Sequence, residues 1–412
     1  METIHRLTPY LQSLKITGNN IQMPAIDIDS TIPALDTLIP SESIETLHFD
    51  IPQLDITWLL YVSQKYPYVK DLVLNLNYPT DNDVPQLDYP LLYTSLLSKC
   101  NYIQYLQLGS PDICHWLNPT VLKTMTDRSC IRELTPAKGD HHQIKTDQEL
   151  RTAVEYGRYM LTGLSIEQWR LDSKMTETIR LLYAFTKLTH LELRCDSYND
   201  EYRLVDILDA CTNLKYLSLE WGTIVTPPEE YIYKRNYPLD SLSMTYVAFD
   251  DTFFSQFIST HCPSLTHISL LKCKQLCIMN NIKTQTLIEM NMPQHQLKTV
   301  SIHHVRLEYS NASLFYHNVT NYIRILELTE KKDTMWYHHV GYTKDNRRHP
   351  LMNTLDRIDQ TSIQQYLNNP SLIQLCQQKW SDLLKTDLMF GYISLNCKSI
   401  QNVFFDGNAQ SI

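Results

Sequence analysis

An aliphatic residue, two spacers, a second aliphatic, one spacer and a third aliphatic recur along most of this chain, as in Leu188, Leu191, Leu193 and in Leu214, Leu217, Leu219. Further copies are Leu11/Leu14/Ile16, Ile44/Leu47/Phe49, Val69/Leu72/Leu74, Ile103/Leu106/Leu108, Leu161/Leu164/Ile166, Leu239/Leu242/Met244, Leu265/Ile268/Leu270, Leu297/Val300/Ile302 and Ile323/Leu326/Leu328. Ile131/Leu134 is a degenerate copy with Pro136 in its third slot. One triplet means little, because chance supplies it at about 2% of positions when roughly a quarter of residues are aliphatic. The spacing is the constraint. From Leu14 to Leu326 the middle residues follow one another at steps of 25 to 34 residues, which marks a repeat array.

The alternation within each triplet predicts a short strand that buries its second and third aliphatic residues and turns the intervening residues outward. The rest of each unit must return to the start of the next strand, and its apolar spacing is helical: Leu204, Ile207, Leu208, Cys211 and Phe254, Phe257, Ile258, Cys262 each occupy one helix face. The expected fold is therefore an α/β solenoid, with a curved parallel sheet on the concave side and helices on the convex side. At 412 residues the chain is too long for one ordinary core, and an elongated array accommodates that length.

The formal charge of −9 gives no general attraction to nucleic acid or to anionic membranes, so neither is expected as a partner. The opening residues METIHRLTPYLQSLKI lack a basic start followed by an apolar run, and no stretch of about 18 apolar residues occurs. The expected location is cytoplasmic or nuclear. Ten cysteines are too sparse for a disulfide scaffold. The sequons at Asn311 and Asn318 would matter only in a secreted chain.

Several cysteines stand three residues before a first aliphatic position: Cys100 before Ile103, Cys211 before Leu214, Cys262 before Leu265 and Cys397 before Ile400. The run Cys262-Pro-Ser-Leu265-Thr-His-Ile268-Ser-Leu270-Leu-Lys-Cys273 resembles the cysteine-containing subclass of leucine-rich repeats in nearly full form. That resemblance implies structural roles for both cysteines, the first at the end of the helix and the second in the turn after the strand. The second slot varies, with Asn19, Asn77 and Asn408 in some units and Gly222, Val247 or Val305 in others. The subclass is typical of F-box proteins, the substrate receptors of SCF-type ubiquitin ligases. It therefore implies a substrate-recognition subunit that meets a cullin-ligase adaptor. The first copy begins at Leu11, which leaves no room before it for an F-box of about forty residues, and 21–40 is not helical enough to be one. A repeat scaffold or inhibitor unrelated to ubiquitin is the alternative.

The triplet lapses after Leu328 and returns at Ile400/Val403/Phe405. The expected organisation is a solenoid over 1–330, an irregular, partly helical elaboration or degenerate repeats over 331–396, and a terminal repeat over 397–412. The polar stretch around Arg347 and Arg348 predicts an exposed loop, and Ile363, Tyr366, Leu367 and Leu372, Leu375, Cys376 have helical spacing.

Catalytic and cofactor motifs are missing: no His-Glu-x-x-His, no phosphate-binding Gly-x-x-x-x-Gly-Lys, no Gly-x-Ser-x-Gly. The chain is expected to be no enzyme and to carry no cofactor. Asp81-Asn82-Asp83 opens like a calcium loop, but Pro85 and Gln86 follow where that loop needs an acid and a glycine. Cys262, Cys273 and Cys277 lie near His261 and His267, yet two of those cysteines already have packing roles, so no metal is expected. The pairs His141-His142, His303-His304 and His338-His339 point to opposite faces of a strand, which does not suit one ion.

The candidate functional surface is the outward face of the strands, expected to bind a protein partner. Its residues are His190, Glu192 and Arg194, then Tyr216, Ser218 and Glu220, then His267 and Ser269, then Thr299, Ser301 and His303. Histidine, aromatic and charged groups on a rigid surface suit protein recognition better than small-molecule binding.

Overall fold

The computed structural model describes residues 6–17, 38–55, 58–77, 89–109, 123, 133–136, 143–226, 235–277, 287–309, 322–331, 333–339, 352–356, 359–361, 363–364, 382–405 and 408–411. They divide into two compact units, Met1–Glu192 and Leu193–Ile412. Outside the described residues lie the sequons, Asp81–Asp83, the pair His141-His142, the Arg347-Arg348 stretch, and Tyr366, Leu367, Leu372, Leu375 and Cys376. Among the described residues, no helix is long and apolar enough to cross a membrane.

In the first unit β1 (Ser13–Thr17), β2 (Thr46–Asp55), β3 (Asp71–Asn77), β4 (Tyr105–Gly109) and β5 (Glu133–Pro136) form a sheet in sequence order. Every neighbouring pair is parallel, and the middle aliphatics align: Leu14 with Leu47, Leu47 with Leu72, Leu72 with Leu106, Leu106 with Leu134. A slip by one residue would turn each buried side chain to the other face, so the triplet fixes this register. Pro136, opposite Leu108, sits on an edge strand, where its missing N–H breaks no ladder bond.

Helices Trp58–Lys65 and Tyr89–Lys99 are return segments of this sheet. They bury Leu59 and Val62 from the first and Tyr93, Leu96 and Leu97 from the second. The Cys100 thiol, just past the second helix, donates to the Tyr66 carbonyl at 3.5 Å. Farther along, β6 (Gln143–Ile144) and β7 (Gly163–Glu167) pair in parallel. The helix Asp147–Thr152 between them starts at a capping box, with the Glu149 N–H donating to Thr146 Oγ1 and the Thr146 N–H donating to the Glu149 carboxylate.

β8 (His190–Arg194) carries the boundary between the units. The second unit continues with β9 (Glu201–Arg203), β10 (Tyr216–Val225), β11 (Ser241–Phe249), β12 (His267–Leu271), β13 (Lys274–Cys277), β14 (Leu287–His303) and β15 (Arg306–Tyr309). Here β10, β11, β12 and β14 are parallel neighbours, with Leu217, Leu242, Ile268 and Val300 in register. After the third aliphatic of each strand the chain passes a residue in the left-handed region: Trp221, Tyr246, Lys272 and His304, with φ of 54°, 55°, 52° and 52°. Beyond this corner runs a second parallel series, in which Thr223 pairs with Glu201 and Ala248, Ala248 with Lys274, and Lys274 with Arg306.

The residue after each corner is buried: Gly222, Val247, Cys273 and Val305. The Cys273 thiol donates to the Met244 carbonyl of the preceding unit at 3.2 Å. Gly222 has φ of 115°, and a Cβ there would lie 2.7 Å from the Tyr202 ring. That ring is held by its hydroxyl, 3.0 Å from the Leu193 carbonyl and 2.8 Å from that of Glu220. The helix Leu204–Ala210 buries Leu204, Ile207 and Leu208, with Cys211 buried at its end. Phe253–Ile258 is a wider, π-helical turn that runs into Ser259–His261, and Phe253, Phe254, Phe257 and Ile258 are buried along it.

The C-terminal strands are β16 (Ile325–Glu330), β17 (Asp333–His339), β18 (Met352–Thr354), β19 (Tyr392–Phe405) and β20 (Asn408–Ser411). β14 pairs with β19 rather than with β16, aligning Ile288 with Ile393 and Val300 with Val403 across an irregularity between Met292 and Gln296. The copy centred on Leu326 lies on the far side of β19, opposite Ile393. The cause is upstream of the triplets: Ile288, Met290, Met292 and Ile393, Leu395, Cys397 alternate as buried residues and lengthen both strands. β17, β18 and β20 are antiparallel additions. Residues 331–396 thus contribute β17, β18, the helix Asp382–Met389 and the first part of β19, a strand that runs unbroken past Cys397. Trp336, Leu355, Ile363, Leu384, Leu388 and Tyr392 pack with Ile325 as one cluster, and buried His338 Nε2 meets Asp387 Oδ2 at 2.8 Å.

Two substitutions separate backbone strain from contact. Gly222→Ala should lower stability by about 2 kcal/mol or more, because both its φ and the Tyr202 ring oppose a Cβ. Lys331→Gly, at an exposed turn with φ of 60°, should raise it by roughly 0.5–1 kcal/mol. Chemical denaturation of both variants reads the two signs.

Candidate functional site

The register of the second unit gathers outward residues from four repeats into rows. Tyr216, Ser241, His267 and Thr299 are paired neighbours across β10, β11, β12 and β14; so are Ser218, Ser243, Ser269 and Ser301, and so are Glu220, Thr245, Leu271 and His303. All are half-buried except Tyr216, which is 41% exposed. The middle row is a file of four serines, spanning about 14 Å at roughly 4.8 Å per strand. Tyr216 and His267 on one side and Glu220, Leu271 and His303 on the other flank this file, with Ser241 and Thr245 on either side of Ser243. Phe404 of β19, opposite Ser301, closes one end of the file.

Hydrogen bonds order the larger rows. The Thr266 hydroxyl donates to Asp240 Oδ1 at 2.7 Å and stands 2.7 Å from His267 Nδ1. Ser301 Oγ lies 2.8 Å from His303 Nε2, and Arg194 Nε is 3.5 Å from Glu220 Oε2. Where β8 begins, in the first unit, Thr189 Oγ1 of the preceding residue lies 2.8 Å from His190 Nδ1, and Glu192 is half-buried. The expected residues of the second unit thus share one sheet face; His190 and Glu192 belong to the first unit.

Two groups were not among the expected residues. Ser241, Ser243 and Thr245 occupy the outward positions of β11, and the alternation around Leu242 is the signal that finds them. The corner residues form an aromatic ridge beyond the outward rows: Trp221 and Tyr246 stack at 4.3 Å with planes 3° apart, and Tyr198 meets Trp221 edge-on at 5.4 Å. Two lysines adjoin these rings. Lys272 donates to the Tyr246 hydroxyl at 2.6 Å, its Nζ beyond the hydroxyl edge and 4.9 Å from the ring centroid, and Lys274 Nζ lies 3.6 Å above the Tyr198 ring centroid. This ridge depends on a left-handed backbone at each corner, which the triplet does not reveal.

The cysteines take no part in that face. Burial pushes the thiols of Cys211, Cys262 and Cys273 up to about 12, so nucleophilic thiolate is suppressed. His261 Nδ1 instead meets the Arg235 carbonyl at 3.1 Å, and His267 meets Thr266. Among the described residues no group of three His, Cys, Asp or Glu is placed to hold a metal ion. What the face offers chemically is a row of hydroxyls that both donate and accept hydrogen bonds, flanked by imidazoles, an aromatic ridge and lysines.

No protein-family model matches the chain, and no curated protein matches it.

The thiols set a pH dependence. A thiol held above its ordinary value of 9.0 keeps its proton in the folded state while the unfolded chain loses it. Its contribution to stability is full below pH 9 and is lost as pH rises toward 12. Thiol-reagent titration at pH 8 should leave Cys211, Cys262 and Cys273 unmodified in the native protein and modify them on unfolding. Stability should decline progressively between pH 9 and 12.

Proposed function

We propose that this chain is a protein-recognition scaffold, a solenoid of the leucine-rich repeat kind, which holds a partner on the outward face of β10, β11, β12 and β14. In its most specific form it is the substrate-recognition subunit of an SCF-type ubiquitin ligase, as the cysteine-bearing repeats imply. The observation that carries the reading is the in-register serine file with the mixed polar and aromatic rows on either side of it. A surface set by backbone pairing is rigid before a partner arrives, so little ordering entropy opposes binding. Its side chains are polar but mostly uncharged and half-desolvated, in keeping with recognition surfaces that combine hydrogen bonding with an aromatic rim.

The test compares the tagged full chain with its Ser243→Trp variant by affinity purification from native cells and mass spectrometry. Ser243 is half-buried on the outward face, so the indole covers the middle of the serine file without entering the core. The expected result is a partner set retained by the wild type and reduced at least tenfold with the variant, at an unchanged melting temperature. Cullin and adaptor retained by both proteins assign the ligase role; their absence assigns a scaffold or inhibitor unrelated to ubiquitin. A partner set indifferent to Ser243→Trp contradicts recognition on this face.

A further inference from the structure

Near the start of β14 the sheet carries a second set of aligned polar residues, on the other side of the irregularity from Thr299 and Ser301. Glu289, Ser394 and Glu327 are paired neighbours across β14, β19 and β16, and Asn291, Asn396 and Thr329 form the next row, where Asn396 Nδ2 donates to Asn291 Oδ1 at 2.9 Å. Glu289 is exposed and Glu327 half-buried. Burial pushes the Glu327 carboxyl up, opposed only by a hydrogen bond with Ser394. Among the described residues neither glutamate pairs with a cation. Arg324 meets Asp387 instead, and Lys385 of the helix Asp382–Met389 pairs with neither glutamate. Lys398 shares the alternation of Ser394 but lies four residues, about 13 Å, farther along β19. An independent mark of a ligand is Tyr392, one alternation step before Ser394 and therefore on the same face. Tyr392 is only 9% exposed, with its ring 5.1 Å from that of Trp336 and packed with Leu384 and Leu388. Its hydroxyl nevertheless has no hydrogen-bond partner among the described residues, and it stands within reach of both glutamates: burial, then the charges of Glu327 and Glu289, push it up to about 12.

We propose that Glu289, Glu327, Ser394 and Tyr392 form a site for an arginine side chain of a partner protein, with the guanidinium between the two carboxylates. The carboxylates rise from strands two steps, or about 10 Å, apart. A planar guanidinium presents N–H groups along more than one edge, so a single one can donate to both. The hydroxyl oxygens of Ser394 and Tyr392 accept its remaining N–H groups. Charge-assisted hydrogen bonds of this kind are the strong ones, and a cation beside Glu327 offsets the cost of holding its carboxylate half-desolvated. A lysine ammonium is a compact point charge and reaches both carboxylates less well. A metal ion needs more oxygen ligands than two carboxylates supply, and no third His, Cys, Asp or Glu joins them among the described residues. A free small molecule would be enclosed over most of its surface, whereas Glu289 is exposed and the residues beside it are half-buried. The site goes beyond the recognition reading above and requires no partner on the serine file.

The experiment is saturation-transfer NMR on the full chain, a method that detects weak ligands, with three peptides at millimolar concentration: Gly-Ser-Gly-Arg-Gly-Ser-Gly and its counterparts with lysine or glutamine in the central place. Saturation of the arginine side-chain protons is expected, weaker for lysine and absent for glutamine, and it should fall with added salt. E289Q alone should weaken the arginine signal a few-fold, and E289Q with E327Q about tenfold, in line with two ion pairs exposed in part. Tyr392→Phe, which keeps the ring in its cluster, should weaken it less. Glu201→Gln, at an exposed acid on β9, should leave it unchanged. Because Glu289 is exposed, E289Q keeps the melting curve of the wild type and stays decisive if the double variant fails to fold. No saturation of the arginine peptide, an undiminished signal with E289Q, an equal loss with Glu201→Gln, or an equal signal from the glutamine peptide each overturns the proposal. Loss of the arginine signal to millimolar calcium at constant ionic strength would assign the site to a metal ion and overturn it as well.

Discussion

The structure depends on one constraint: the middle aliphatic residue of each unit must lie beside its counterpart in the next strand. Leu14, Leu47, Leu72, Leu106 and Leu134 meet it in one unit, and Leu217, Leu242, Ile268 and Val300 meet it in the other. Each fully buried side chain of this kind contributes about 1.5–3 kcal/mol relative to exposure. A register slip would forfeit that along a whole strand. The outward residues inherit the same alignment, so the serine file is a consequence of the buried rows and needs no interaction of its own to form.

The corners are the second consequence. A bulky residue in the left-handed region costs about 1–2 kcal/mol, yet four successive units place Trp, Tyr, Lys and His there. The stack of Trp221 on Tyr246 and the hydrogen bond from Lys272 to the Tyr246 hydroxyl offset part of that cost. Pairing on both sides of each corner fixes the backbone independently of its side chain. Strain maintained in this way is tolerated where the surrounding pairing over-determines the backbone, and here it projects an aromatic, cationic ridge beside the serine file.

Much of this was legible in the sequence because it is periodic. The triplets located the strand positions that pair as Leu217, Leu242 and Ile268, and alternation identified Tyr216, Ser218, His267, Ser269, Thr299 and Ser301 as outward residues. Helical spacing located Leu204, Ile207 and Leu208 on one buried face. Neighbour identity was not legible. A strand carries no local mark of which strand lies beside it, so the Leu326 copy resembled the next unit after Val300 although β19 intervenes. The corner ridge was hidden for another reason: positive φ at Trp221 or Tyr246 is imposed by the turn between two paired series, against the preference of the residue. The serine file escaped notice because Ser243 is conspicuous only once its neighbours Ser218 and Ser269 are known to be adjacent.

The register itself is open to direct measurement with a short fluorogenic cross-linker for thiol pairs a few ångströms apart. Three double variants suffice: Ser243→Cys with Ser269→Cys, Ser269→Cys with Ser301→Cys, and Ser218→Cys with Ser269→Cys. Their thiols face outward, while the native Cys211, Cys262 and Cys273 are buried. Bridging of the first two pairs, each one strand step apart, and not of the third, two steps or about 10 Å apart, is the predicted result. A bridge between positions 218 and 269, or none between 243 and 269, would contradict the strand register on which the proposed recognition face depends.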